Sequence, residues 1–416
     1  MPPDGPGASV PGSEASLPFP AASVPGPDRA RPPPNGWPER FVAQPEDRDA
    51  LLVLAHLDGI TPRRLHALAW EVGSARRCLA AVRRGRAGSE GDRTRAGQIS
   101  TGDVRTALAR LGATHVCPGD DAYPSPLLDL PDPPASLFVV GREPHTSPPA
   151  VAIVGARKCS AYGREVAELL GRGLAGAGVT VVSGAALGID AAAHRGALSS
   201  GGPTMAVLGS GIDVLHPPSN EGLIRRIAAS GTVLSEYPPG TAALPWRFPA
   251  RNRLVAGLSR GVVVVEGAPG SGSMITAEFS LELGRDVFAV PGAVTSPLSA
   301  VPHQLIRDGA WLARSPEDVL EALGWTAATS GAAGPETAAR GASASEAVRS
   351  VAPLGPDERR VLDAVAGNPV TADAVAADAG LPVGETLSAL VALELRGLVR
   401  EVAGRYERTA AAAGCQ

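Results

Sequence analysis

Between Ala150 and Leu323, short all-apolar runs alternate with stretches whose apolar positions recur every three or four residues. Residues 151–154, 179–183, 204–208, 232–235, 262–266 and 287–290 have the Val/Ile/Leu content of strands buried on both faces. A helix is expected from Ser160, burying Val166, Leu169, Leu170 and Leu174, and others from Ile189, over 219–229 and over 275–283. Ser315-Pro316-Glu317-Asp318 caps a last one at 319–323. Continuous apolar strands between amphipathic helices predict a parallel sheet covered on both sides. This is an extended Rossmann-like α/β domain over 116–324.

The flanks have other patterns. Residues 1–45 hold thirteen prolines among Gly, Ala and Ser, and read as a disordered tail. In 46–115 the apolar face of Leu51, Leu52, Leu54, Ala55 and Leu57 breaks at Asp58-Gly59-Ile60-Thr61-Pro62. Thr61 as N-cap and Pro62 at the first helical position then start a second helix. Two short helices on a Gly-containing turn suggest a SAM-like or helix-hairpin-helix module, with the Arg/Gly-rich stretch 83–103 as a loop inside it. Residues 325–352 read as a flexible linker. In 353–410, helices near 357–365, 371–379 and 383–395 precede a hairpin over 398–402 and 405–408, the outline of a winged helix. Its third helix carries Glu385 and Glu394 and few basic residues, a poor fit to a DNA major groove.

Composition narrows the class. The 416 residues are 44% hydrophobic with net charge −4, and no apolar run is long enough to span a bilayer. With no signal-peptide pattern, and with Cys78, Cys117, Cys159 and Cys415 widely spaced, the expectation is a cytoplasmic protein with free thiols and no metal or cofactor. Lys158 is the only lysine, so the arginine count says little and arginine clustering says more. Residues 246–260 hold Arg247, Arg251, Arg253 and Arg260 around Phe248 with no acid. Such an Arg-rich loop suits a phosphate backbone, with Phe248 stacking on a base, although a solvated or acid-paired surface loop fits the same residues.

Ligands of parallel α/β sheets collect at the carboxyl ends of the strands. Four glycine-bearing loops fall there: 155–157, 183–190, 209–211 and 271–276. The first leads into the helix capped by Ser160, whose free N–H groups and dipole favour an anion. There is no GxxxxGK[ST], and no GxGxxG follows the first strand. Asp190 and His194, four apart on one helix face, can pair as a catalytic dyad or serve capping and core roles, and the latter is favoured.

Taken in order, these residues resemble the DNA-processing protein A (DprA/Smf) family. The resemblance runs through GARKCSAYG at 155–163, SGAALGIDAAAH at 183–194, GSGIDVLHPPSN at 209–220, LSEYPPG at 234–240, FPARNRLVAGLS at 248–259, SGSMITA at 271–277 and GRDVFAVPG at 284–292. It implies a non-enzymatic, homodimeric protein that binds single-stranded DNA, protects incoming strands during natural transformation and loads the RecA recombinase. Carried over by motif, Gly155 and Arg157 would meet a phosphate, and Ser183 and Gly184 would offer donors. Phe248 would face a base, Arg247, Arg251, Asn252 and Arg253 would hold the strand, and Ser271, Gly272, Ser273 and Thr276 would complete the pocket. The chain departs from the family pattern at Ala156, Pro245 and His303. An alternative is a nucleoside-monophosphate phosphoribohydrolase of the SLOG-like Rossmann group, for which Glu278 in a partial echo of PGGxGTxxE would be the catalytic carboxylate.

Overall fold

The computed structural model describes residues 35–144, 149–325, 354–365, 370–402 and 405–409. Five helices open the described chain: α1 (Pro45–Leu54), α2 (Pro62–Val72), α3 (Ala75–Arg83), α4 (Glu90–Gln98) and α5 (Thr101–Leu111). As expected, Thr61 caps α2, its hydroxyl accepting from the Arg64 N–H at 3.3 Å. Two expectations are corrected. Residues 35–45 are not tail: Trp37 stacks on Phe41 with centroids 4.1 Å apart, and Phe41 is buried with Leu51, Leu54 and Leu65. The rest of the expected tail, 1–34, lies outside the described residues, as does almost all of the expected linker. Nor is 83–103 a loop throughout. Ser89 and Asp92 form a reciprocal capping box that starts α4, and Asp92 also accepts from the Gly59 N–H at 3.0 Å. The polar composition that disguised this helix is what caps it and ties it to the turn before α2.

The sheet follows: β1 (Thr114–Val116), β2 (Leu137–Gly141), β3 (Ala150–Val154), α6 (Ala161–Gly176), β4 (Thr180–Ser183), α7 (Ile189–Ser199), β5 (Thr204–Leu208), α8 (Glu221–Ser230) and β6 (Thr232–Ser235). It continues through α9 (Arg247–Gly257), β7 (Gly261–Val264), α10 (Gly272–Glu282), β8 (Asp286–Ala289), α11 (Ala300–Arg307), β9 (Trp311–Leu312) and α12 (Pro316–Ala322). The strand order is β1-β2-β6-β5-β4-β3-β7-β8-β9, parallel from β6 to β9, with β2 antiparallel to β6 and β1 to β2. Alternate residues serve opposite layers. Ala152 and Val154 pack with Val182, Leu254, Val255 and Ala277 under α9 and α10. Val151 and Ile153 pack with Leu170, Leu174, Ala193 and Val319 under α6, α7 and α12.

The order reverses beside β3, which pairs with β4 on one side and β7 on the other. A crevice therefore opens where the β3 and β7 loops part at the carboxyl edge, the place where such sheets receive ligands. The tail folds as α13 (Pro356–Ala364), α14 (Ala372–Ala379), α15 (Val383–Leu395) and the hairpin β10 (Val399–Val402) and β11 (Arg405–Arg408), around Val361, Val375, Leu390 and Val399. Among the described residues no single helix is long and apolar enough to cross a membrane.

Candidate nucleic-acid interface

The arginine stretch is not a loop. It is α9, and its charges do not form one patch. Arg260 follows the helix, and its N–H donates to the Ala150 carbonyl at the start of β3, so it sits at the amino edge of the sheet, away from the crevice. Arg247, Arg251 and Arg253 are each more than nine-tenths buried. Arg253 donates to Glu236 at 2.6 Å and lies 3.2 Å from Asp132. Burial lowers the pKa of Arg253, but the two carboxylates outweigh it and hold it above the ordinary value. Burial also raises Glu236 despite its partner. Arg251 runs under the sheet edge and donates to the carbonyl of Gly184 at 2.9 Å and to that of Val207. Burial pulls it down to about 10, with Asp190 opposing. Arg247 donates to the Ala242 carbonyl at 2.7 Å and sits against Tyr237 and Trp246, 5.0 and 4.9 Å from their centroids. An eleven-residue helix this apolar in its second half faces the core, and arginines on that face must find internal partners.

Beside these buried groups lies a partly exposed cluster. The Arg157 guanidinium lies 5.3 Å from the centre of the Phe248 ring, and the His216 ring is 5.4 Å from it on a 30° tilt. Phe248 is half-buried, and a Cβ at Gly209 would come within 2.9 Å of its ring, so that glycine leaves room for the aromatic. Gly155 is equally constrained, since a Cβ there would meet Ile189 at 2.7 Å and the Glu266 carbonyl at 2.8 Å. Arg157 and Lys158 are exposed beyond it. They open into a groove of about 590 Å³ that Arg164, Arg195 and Asn220 also line.

The anion site expected at the start of α6 already has an occupant. Glu266, just past β7, accepts from the Ser160 N–H at 2.9 Å and from its hydroxyl at 2.5 Å. Gly163 is required beside it, because a Cβ there would strike the carboxylate. The second loop is braced as well. Asp190 accepts from the N–H groups of Gly184 and Ala186 at 3.1 and 3.3 Å, while Ala185 takes a positive φ of 54°. Asn220 donates to the carbonyls of Ala185 and Ala186, both at 3.0 Å, fixing that left-handed turn. Ser183 is buried and donates to the Ile153 carbonyl at 2.7 Å. Asp190 and His194 do not pair: His194 Nδ1 lies 2.7 Å from the Thr204 hydroxyl, and burial lowers its pKa to about 3.

In the β7 loop, the hydroxyls of Ser271 and Ser273 are 2.6 Å apart, Thr276 donates to the Gly272 carbonyl at 3.3 Å, and Asn252 donates to the same carbonyl at 3.1 Å. The β7 loop is thereby latched to α9. Glu278 is exposed one turn further along α10. Sequence reasoning missed Glu266, His216 and Asn220 as parts of this site. Each left a signal there: Glu266 is an acid ending an otherwise apolar strand run, and His216 and Asn220 stand inside the 209–220 stretch of the family resemblance.

The fold defines a class: an extended Rossmann-like α/β protein whose strand-end surface joins an exposed arginine to an aromatic, followed by a winged helix. The comparisons narrow it. Residues 114–324 match the family model described as DNA recombination-mediator protein A, and residues 345–405 match the DprA winged helix domain. The chain is 41% identical to Protein Smf of Escherichia coli over 301 residues, 71% of this chain and 77% of that one. It is 38% identical to the putative DNA processing protein DprA of Mycobacterium tuberculosis (strain CDC 1551 / Oshkosh), over 80% of this chain and 87% of the relative. The X-ray structure of DNA processing protein A from Streptococcus pneumoniae superposes with a TM-score of 0.52 at 43% identity, covering 55% of this chain and 80% of that one. The chain belongs to the DprA/Smf family of DNA-processing proteins.

Proposed function

We propose that this chain is a non-enzymatic, cytoplasmic recombination mediator that binds single-stranded DNA at the carboxyl edge of its sheet and passes the strand to the RecA recombinase. The homodimer and the protection of incoming DNA belong to the same reading. The observation that carries it is the Arg157–Phe248–His216 constellation: a cation and an aromatic at the mouth of the crevice, with Lys158 beside them. A ring offers any base a stacking face, and an exposed guanidinium offers a backbone phosphate its counter-charge.

The buried residues of the motif have supporting roles in this reading. Arg251 and Arg253 set the height of α9 under Phe248, Asn252 latches the β7 loop, and Ser183, Gly184, Ser271, Gly272, Ser273 and Thr276 shape the floor. Gly155 lets the first loop approach, and Arg247 closes the far side. In the winged helix, the exposed positions of α15 include Val383, Leu387 and Val391 with Glu385 and Glu394, which suits a protein partner better than duplex DNA.

The test is anisotropy titration of a labelled single-stranded oligonucleotide across several salt concentrations, with a duplex of equal length as competitor. Tight, salt-sensitive binding that prefers the single strand is expected. Equal affinity for duplex, or release of free base from a nucleotide, would overturn the reading.

A further inference from the structure

Beyond Phe248, a polymer has three surfaces to follow. Across α9 lies a cavity of about 580 Å³ in which Asp58, Asp132 and Glu236 stand among four arginines, with Arg253 already held by two of those acids. Along the β7 loop, residues 267–277 carry no charge. The third surface is the groove of about 590 Å³ beyond Arg157, where Lys158, Arg164 and Arg195 are joined by a single acid, Glu168. It follows the seam of α6 and α7, which close on one another because Gly171 and Gly196 have no Cβ to strike the facing backbone. Arg164 and Glu168, four apart, share one face of α6, and Arg195 lines the same groove from α7. Lys158 and Arg164 are exposed and have no ion pair among the described residues. Arg195 donates to Glu168 through Nε at 3.1 Å, and the two side chains stay 40% and 43% exposed.

A row of phosphates follows concentrated and unpaired positive charge, because each phosphate neutralised releases counterions. Four cations against one carboxylate in the groove, and four against three across α9, decide the direction. Arg157 belongs to both parts of the path, since its guanidinium lies 5.3 Å from the centre of the Phe248 ring and also lines the groove. We propose that a single strand anchored at Phe248 turns over Arg157 and lays its following phosphates along the α6–α7 groove, on Lys158, Arg164 and Arg195. Glu168 opposes this path, because its charge repels the strand and competes for Arg195. The path rests on the single-strand reading and adds to it a direction and a longer footprint.

The test compares labelled oligo(dT) of about four and about twelve nucleotides, within the range of single-strand site sizes, by anisotropy of the full chain at several salt concentrations. Three further phosphate contacts should steepen the dependence on log salt by about 2 for the longer strand. Arg164→Ala should take about 0.7 from the longer strand's slope and leave the shorter strand unaffected. Its side chain is exposed, so the fold is retained, and circular dichroism checks this. Glu168→Gln should tighten the longer strand alone by releasing Arg195. A purely structural tie between α6 and α7 predicts no such gain. If the longer strand binds with a slope that Arg164→Ala leaves unchanged, or if E168Q weakens it, the path is overturned while the single-strand reading stands. If neither length binds, the single-strand reading itself fails and the path falls with it.

Discussion

Arg157 and Arg253 belong to the same set of motif arginines, yet their surroundings give them opposite tasks. Arg157 is exposed above Phe248, so its charge is available to a phosphate. Arg157→Ala should weaken single-strand binding and flatten its dependence on log salt by about 0.7, the share of a single neutralised phosphate. Phe248→Ala should cost about 1–3 kcal/mol per stacked base and leave that slope unchanged. Anisotropy at four or five salt concentrations separates the two, and an unchanged slope in the arginine variant would remove it from the phosphate path. Arg253 is sealed between Glu236 and Asp132. Arg253→Ala leaves a buried carboxylate unpaired and should lower unfolding stability by about 3–5 kcal/mol in urea titration. Sequence alone does not separate these arginines: both stand in acid-free surroundings, and Glu236 and Asp132 come from segments 17 and 121 positions before Arg253.

The buried histidine supplies a pH prediction. His194 in the folded state stays neutral down to about pH 3, whereas an unfolded histidine protonates near 6.5. Its folded pKa is depressed, so its contribution is fully present above pH 6.5 and is lost as pH falls towards 3. Below 6.5 the unfolded chain binds one more proton at this site, giving a slope of at most about 1.4 kcal/mol per pH unit. His194→Gln should lose that part of the acid sensitivity relative to the parent, and matched urea curves between pH 7 and 4.5 would read the difference.

At the scale of elements, helix ends and glycines fix the interface. The α6 N-terminus, expected to await a ligand phosphate, is neutralised by Glu266 reaching from β7. That carboxylate ties together the two loops that flank the topological switch. Glu266→Gln keeps the shape but weakens charge-assisted bonds, and should cost about 1–2 kcal/mol in unfolding while spreading the crevice. Gly209→Ala would bring a methyl within 2.9 Å of the Phe248 ring and displace it. Single-strand affinity should then fall much as in Phe248→Ala, again at constant salt slope, with the fold retained in circular dichroism. Most elements are legible in the sequence because period-2 and period-3.6 patterns report burial directly. α4 is hidden there because its two buried positions are Asp92 and Ala96, leaving no apolar stripe to read. β1 is hidden because three residues make no readable pattern, whereas the apolar run of β2, Leu137–Val140, is legible but stands apart from the strand–helix alternation that marks the parallel sheet.

At the scale of the molecule, the sequence by itself determined the parallel α/β domain, its helical preface and its winged tail. Those follow from where apolar residues recur, and local burial periodicity does not depend on distant partners. It also determined which loops gather at one sheet edge, since strand direction in a parallel sheet dictates it. Tertiary structure alone decided which charges remain available. Whether an arginine meets solvent or a buried carboxylate depends on residues far away in the chain. So the motif read as a basic loop became a core helix, with its cations consumed by Glu236, Asp132 and backbone carbonyls. Exposed at the strand ends were left Arg157 and Lys158, beside the half-buried ring of Phe248. Hydrophobic pattern is a local property of the chain, whereas electrostatic pairing is settled only when distant segments are brought within a few ångströms of one another.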